Sequence, residues 1–141
     1  MVHHFGEMKQ LVGRFIERAI NEKNLDAADD FLGTGYIDHQ APPGVGIGPE
    51  AFKKQVTAVI EAFPDLRVDI EDIIVEDDRV AVRWITRGTH KGEYLGIPST
   101  GKSVAVPGIH VVRIVDGKIV EHWGVDDTLG LMQQIGIFPR S

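Results

Sequence analysis

Residues 109–136 read IHVVRIVDGKIVEHWGVDDTLGLMQQIG. Two apolar, alternating runs flank Asp116-Gly117, and that dipeptide is a strong short-range signal for a two-residue hairpin, because both turn positions need positive φ. A turn of this kind pairs Val115 with Lys118. Counting back sets Val112 against Glu121 and His110 against Trp123. Side chains alternate between faces with period two. One face then carries His110, Val112, Ile114, Ile119, Glu121, Trp123 and Val125, and Asp127 if the strand runs on. The other carries Ile109, Val111, Arg113, Val120, His122 and Asp126. The first face is core-like yet holds three ionisable groups, which is the composition of a buried reactive site. TLGLMQQ, after the aspartates, reads as a short closing helix.

Working outward, the period of two persists upstream. Val80, Val82, Trp84 and Thr86 alternate with Ala81, Arg83, Ile85 and Arg87, and Leu66, Val68 and Ile70 alternate with Arg67, Asp69 and Glu71. The acidic turn EDD joins these two strands, and a Gly-, Pro- and Ser-bearing connection, roughly residues 91–102, leads to the hairpin. Arg83 and Arg87 share a face and are expected to pair with the acidic face of the preceding strand. Further upstream the period becomes helical: Phe5, Met8, Val12, Phe15, Ile16, Ala19 and Ile20 predict an amphipathic helix over roughly residues 5–22. Asn24 is a plausible cap for a second short helix, LDAADDFL. Residues 33–49, with five glycines and three prolines, read as a loop carrying one polar cluster, Tyr36-Ile-Asp-His-Gln40. Pro49 suits the first position of a third helix, which buries Phe52, Val56, Ile60 and Phe63 and ends at Pro64.

Helices first, then an antiparallel meander and one closing helix is an α+β order with helices on one face of a sheet. The 141 residues suit a single domain, residues 1–141, with no internal repeat. A net charge of −6 argues against a nucleic-acid partner. The absence of cysteine removes disulfides and thiolate metal sites. MVHHFGEMKQ has no long apolar run, so no signal peptide or membrane span is expected and a cytoplasmic location needs no special assumption. If the sheet curls round its helices, Phe15, Phe63, Trp84 and Trp123 can line an apolar pocket, though the same spacing also suits a filled core.

AFPDLRVDIEDIIVEDDRVAVRW, GTHKGEYLGIPSTGKSV and GKIVEHWGVDDTLGLMQQIG, in that order, resemble the SnoaL-like polyketide cyclases of the NTF2-like superfamily, over about Phe15 to Ile137. The resemblance implies a curved antiparallel sheet wrapped by helices as a cone around a pocket. In the cyclase branch it implies intramolecular aldol closure of a small apolar carbonyl substrate, without metal or organic cofactor. An aspartate just after the last strand is the acid/base group there, and by its place in the W-x-x-x-D word that residue looks like Asp127. A histidine of the YIDHQ-like segment, here His39, is common in such pockets. Members with the same words differ in activity, so an isomerase or epoxide hydrolase on the same cone, or a non-catalytic ligand-binding module, stands beside the cyclase reading.

Each candidate also has a plainer reading. Asp127 precedes TLGLMQQ, where an aspartate caps helix amides, and Asp126 could be the cap equally well. A capping carboxylate should have a lowered pKa and a desolvated base a raised one. His110 and Glu121 are diagonal neighbours that can anchor a ligand or tune the acid/base group, or simply form an ion pair. His110 and Asp127 lie roughly 13 Å apart on a straight strand, so they can flank one ligand and touch only if the strand bends or bulges. His39 is a ligand contact or a solvated loop residue, and His3 and His4, near a terminus, are expected to be merely mobile. No histidine spacing suggests a metal site. The face bearing Ile109, Val111, Arg113, Val120 and His122 is too apolar for a wet surface, and a homodimer is its simplest use.

Overall fold

The computed structural model describes residues 5–137; His3 and His4 lie outside the described residues. The first helix, α1 (Phe5–Phe15), continues as a wider π-turn over Ile16–Asn21, where Glu22 N–H donates to the Glu17 carbonyl at 2.8 Å. A 3-10 turn (Leu25–Ala27) runs into α2 (Ala28–Phe31). The expected Asn24 cap makes no side-chain hydrogen bond. Next come β1 (Leu32–Asp38), α3 (Pro49–Ala62), β2 (Arg67–Glu76), β3 (Arg79–Thr89), β4 (Ser103–Val115), β5 (Lys118–Asp126) and α4 (Thr128–Gln134).

The five strands form one curved, unclosed sheet in the order β1-β5-β4-β3-β2. β2 to β5 are an antiparallel meander, as the alternation predicts. β1 is the exception. The segment predicted as a loop from Gly33 onward instead pairs in parallel with β5, placing Asp38 beside His122. Its two early glycines mask any alternation, and its partner strand lies more than eighty residues away in sequence, so nothing local announces it. The helices cover the concave face. Val12, Phe15, Ile16, Ala19 and Ile20 are buried there against Val80, Val82, Val112, Ile114 and Ile119 of the sheet. Phe15 touches both Phe31 and Phe52, with ring centroids 5.8 and 5.1 Å apart. On the convex face Arg83 pairs with Asp72 (2.6 Å) and Arg87 with Asp69 (3.0 Å), as their strand positions predict.

The hairpin turn is as read: Asp116 and Gly117 both have positive φ, and Val115 pairs with Lys118. Beyond it the expected register fails. Ile114 pairs with Ile119, but Arg113 pairs with Glu121, so Val120 is an extra residue in β5. The Ile114 N–H donates to the Asp78 carbonyl in the β2–β3 turn. One inserted residue moves every later side chain to the opposite face. His110 therefore faces Gly124 rather than Trp123, and Val112 faces His122 rather than Glu121.

Candidate active site

The concave face and the helices enclose a cavity of about 330 Å³. Phe15, Phe52, Phe63, Val82, Val106 and Leu131 supply apolar wall, Trp84 lies at the polar end against His110, and Tyr94 lines the cavity with its ring on Phe63. The polar end is built from β1, β4 and β5: Asp38, Gln40, His110, His122 and Asp126 all line it. The bulge makes this possible, because it turns His122 and Asp126 inward while β4 presents His110 from the same face.

These side chains form one continuous hydrogen-bonded chain. Asp126 Oδ1 lies 2.8 Å from His110 Nε2, and His110 Nδ1 lies 2.8 Å from His122 Nε2. His122 Nδ1 lies 2.8 Å from Asp38 Oδ1. Each end is tied down by an amide: Gln40 Nε2 donates to Asp126 Oδ2 (3.0 Å) and Gln55 Nε2 to Asp38 Oδ2 (3.0 Å). The Gln40 backbone N–H also donates to Asp38 Oδ1 at 2.9 Å. The two imidazoles meet edge to edge and nearly coplanar, with centroids 5.0 Å apart and planes at 17°, and Trp84 stacks on the His110 ring with centroids 3.9 Å apart. Two glycines make room. His110 faces Gly124, where a Cβ would run into the imidazole, and Asp126 faces Gly108, where a Cβ would run into the carboxylate.

The chain has a definite proton inventory. A carboxylate only accepts, while an imidazole nitrogen donates or accepts according to its proton. Three contacts between four groups need three protons, one per contact. With both carboxylates ionised, the two rings share one positive charge. A proton passed from His110 to Asp126, and one from His122 to His110, leaves both rings neutral and Asp126 protonated. Burial acts to raise the Asp126 carboxyl, but hydrogen bonding and charge from His110, the Gln40 amide and the charge on His122 outweigh it and hold it below the ordinary carboxylate value. Asp38 is held low in the same way, with burial opposed by His122, Gln40 and Gln55.

Phe15, Phe63, Trp84 and His110 line the cavity. Asp127, Trp123, Glu121 and His39 do not, which corrects their expected placement. Asp127 caps α4: its Oδ1 accepts from the Gly130 N–H at 2.9 Å, and its own N–H donates to the Pro107 carbonyl at 3.0 Å. Trp123 sits on the convex face, stacked on His39 at 4.9 Å, with the Arg79 guanidinium 5.0 Å above it. Glu121 joins them, accepting from Arg113 (2.7 Å) and contacting His39 Nε2 (2.8 Å). His39 first and Arg113 second lower its carboxyl. The same inserted residue explains Glu121, Trp123 and Asp127, since all three lie beyond it. His39 follows the end of β1, with its N–H on the His122 carbonyl at 2.8 Å, and takes the outer side of that strand. Sequence reasoning missed Asp38, Gln40, Gln55, His122 and Asp126 as cavity residues. The YIDHQ cluster was the one available signal for the first two.

Among the described residues no three His, Asp or Glu side chains are grouped to hold a metal ion. No helix among them is long and apolar enough to cross a membrane.

Residues 10–135 match the SnoaL-like polyketide cyclase family. The chain is 35% identical to the aklanonic acid methyl ester cyclase DnrD of Streptomyces peucetius over 132 residues, covering 89% of this chain and 88% of that one. It is 29% identical to the nogalonic acid methyl ester cyclase of Streptomyces nogalater over 121 residues, covering 84% and 90%. Among solved structures, TsrD from Streptomyces laurentii superposes with a TM-score of 0.88 at 29% identity, covering 98% of this chain and 100% of that one. A SnoaL-like polyketide cyclase from Jannaschia sp. CCS1 superposes at 0.83 and 26% identity, covering 95% and 94%. An apolar cavity with a carboxylate–imidazole chain at one end, on a fold and sequence shared with these proteins, places the chain in the SnoaL-like polyketide cyclase family of enzymes.

Proposed function

We propose that the protein closes a ring in a small apolar polyketide ester by intramolecular aldol addition, with Asp126 as the acid/base group and no cofactor. The observation that carries the reading is the Asp126 carboxylate, at the cavity's polar end and hydrogen-bonded to His110. Aldol closure needs a base for the proton α to a carbonyl and an acid for the new alkoxide. An α-proton between two carbonyls is unusually acidic, so a carboxylate held ionised near neutral pH suffices as base, and a positioned base contributes roughly 10²–10⁴-fold. As the C–H bond breaks, its proton passes to Asp126 and its electron pair becomes the enolate. The enolate carbon attacks the second carbonyl, and the alkoxide so formed takes the proton back from Asp126. His110 holds the carboxylate in place and opposes its charge, while His122 and Asp38 fix the orientation of His110.

Epoxide opening is less well supported. It wants two carboxylates bridged by an arginine, whereas the cavity carboxylates are bridged by two histidines and Arg113 meets Glu121 on the outer face. A binding module is less well supported too, since the cavity ends in a hydrogen-bonded carboxylate–imidazole chain and the matched relatives are named as cyclases. We further propose a homodimer formed through the convex sheet face, and a cytoplasmic setting.

The test is turnover of aklanonic acid methyl ester, the compound in the relatives' name, by the parent, Asp126→Asn and Asp127→Asn. The expected result is loss of activity at Asp126 only. Undiminished turnover by Asp126→Asn would refute the assignment.

A further inference from the structure

We infer that Tyr94 is the hydrogen-bond donor to the oxygen on which negative charge gathers when Asp126 removes the substrate's α-proton. The inference rests on the aldol reading above and adds a residue to it. Proton removal leaves the electron pair delocalised onto the neighbouring carbonyl oxygen, and a donor already in place at that oxygen lowers the barrier. The oxygen is only two bonds from the carbon that loses the proton, so the donor has to stand at the same end of the cavity as the base.

Tyr94 lines the same cavity as Asp126. Burial first, and then the Asp126 charge, raise the pKa of its phenol. A phenol so placed keeps its proton and can donate. Its hydroxyl has no hydrogen-bond partner among the described residues. The backbone that carries it is fixed. Tyr94 and Ile97 exchange two hydrogen bonds, 3.0 and 2.8 Å, across a two-residue turn in which Leu95 and Gly96 both have positive φ. The Tyr94 ring also packs edge-on against Phe63, with centroids 5.5 Å apart and planes at 68°. The two other aromatic donors of the cavity fit less well. Tyr36 feels Asp38, two imidazoles away from Asp126. The Trp84 indole lies against the His110 ring, with its N–H buried. No proton leaves Tyr94: the α-proton goes to Asp126, and the phenol only shares its hydrogen with the enolate oxygen.

Tyr94→Phe keeps the ring and its packing against Phe63 and removes the donor alone. With aklanonic acid methyl ester as substrate, kcat should fall roughly 10²–10³-fold, the usual cost of losing one such donor, with KM little changed. A second readout uses benzoylacetone, an aryl 1,3-diketone whose enolate absorbs distinctively. Its apparent pKa when bound should rise by about one unit or more in Tyr94→Phe. A purely structural role for Tyr94 would not move that value. Turnover and bound-diketone pKa both equal to the parent's would overturn the inference. If Asp126→Asn is dead while Tyr94→Phe is undiminished, only the tyrosine falls; if Asp126→Asn turns over like the parent, the base assignment falls and takes this inference with it.

Discussion

His110 on β4 and Asp126 on β5 touch at 2.8 Å although they are not cross-strand partners, and each faces a glycine instead. His110 lies opposite Gly124, and Asp126 lies opposite Gly108. The diagonal approach exists because neither glycine carries a Cβ to fill the space between the strands.

Gly124→Ala should therefore displace the His110 ring, and Gly108→Ala the Asp126 carboxylate. The new methyl groups point into the cavity's polar end rather than the hydrophobic core. Misplacing a catalytic group by about 1 Å can cost on the order of 10²-fold in rate. We expect a fall of that order in kcat from either change. Circular dichroism should show the sheet retained, while imidazole ¹H–¹⁵N spectra should show the hydrogen bond between His110 and His122 broken.

The two adjacent aspartates should separate cleanly in stability measurements. Asp127 caps α4 through the Gly130 N–H, so Asp127→Ala should cost about 0.5–2 kcal/mol and Asp127→Asn close to nothing. Urea unfolding of both variants tests this. A large destabilisation by the asparagine variant would mean that the carboxylate has a partner beyond the helix amide.

The Asp-Gly turn, the meander and the helices on one face were legible because each is written in local residue patterns. The site was legible only in part. His110 lies before the turn and keeps its predicted face. Everything on β5 past Val120 was assigned to the wrong face, because a bulge is one residue of backbone with no composition of its own. The gain from the bulge is visible only in three dimensions: Glu121 reaches Arg113 outside while His122 meets Asp38 inside. Asp38 was hidden for a different reason. It ends an edge strand whose glycines read as loop, and its partner comes from the far end of the chain.

The convex face carries the proposed dimer interface. Ile109 and Val125 are cross-strand partners there, 58% and 76% exposed, beside the Trp123 stack and near the arginines of β3. A twofold interface is self-complementary, so one substitution acts twice in it. Val125→Glu should then convert a dimer to a monomer in analytical ultracentrifugation without altering the cavity. A parent that sediments as a monomer at every concentration would remove the proposal.

Asp38 gives the protein a specific acid sensitivity. Its side chain is only 14% exposed and accepts from His122, Gln40 and Gln55, and these partners hold its carboxyl below the ordinary value against the opposing effect of burial. The unfolded chain has no such partners, so its Asp38 titrates near the reference value of about 3.9. Between the two values the unfolded state binds more protons than the native state, so stability rises with pH there. The contribution is complete above the unfolded value and disappears as pH falls through the lower, folded one. Asp126 adds in the same direction, from a carboxylate 33% exposed. Asp38→Asn leaves His122 facing an amide, which should cost on the order of 1–3 kcal/mol at neutral pH for the weakened buried hydrogen bond. It also removes the titrating group. Melting temperatures taken from pH 6 down to pH 2.5 should therefore start lower for Asp38→Asn and fall less steeply than for the parent, the two curves converging in acid. Parallel curves, with the same gap at every pH, would show that the Asp38 charge contributes nothing to the stability of the fold.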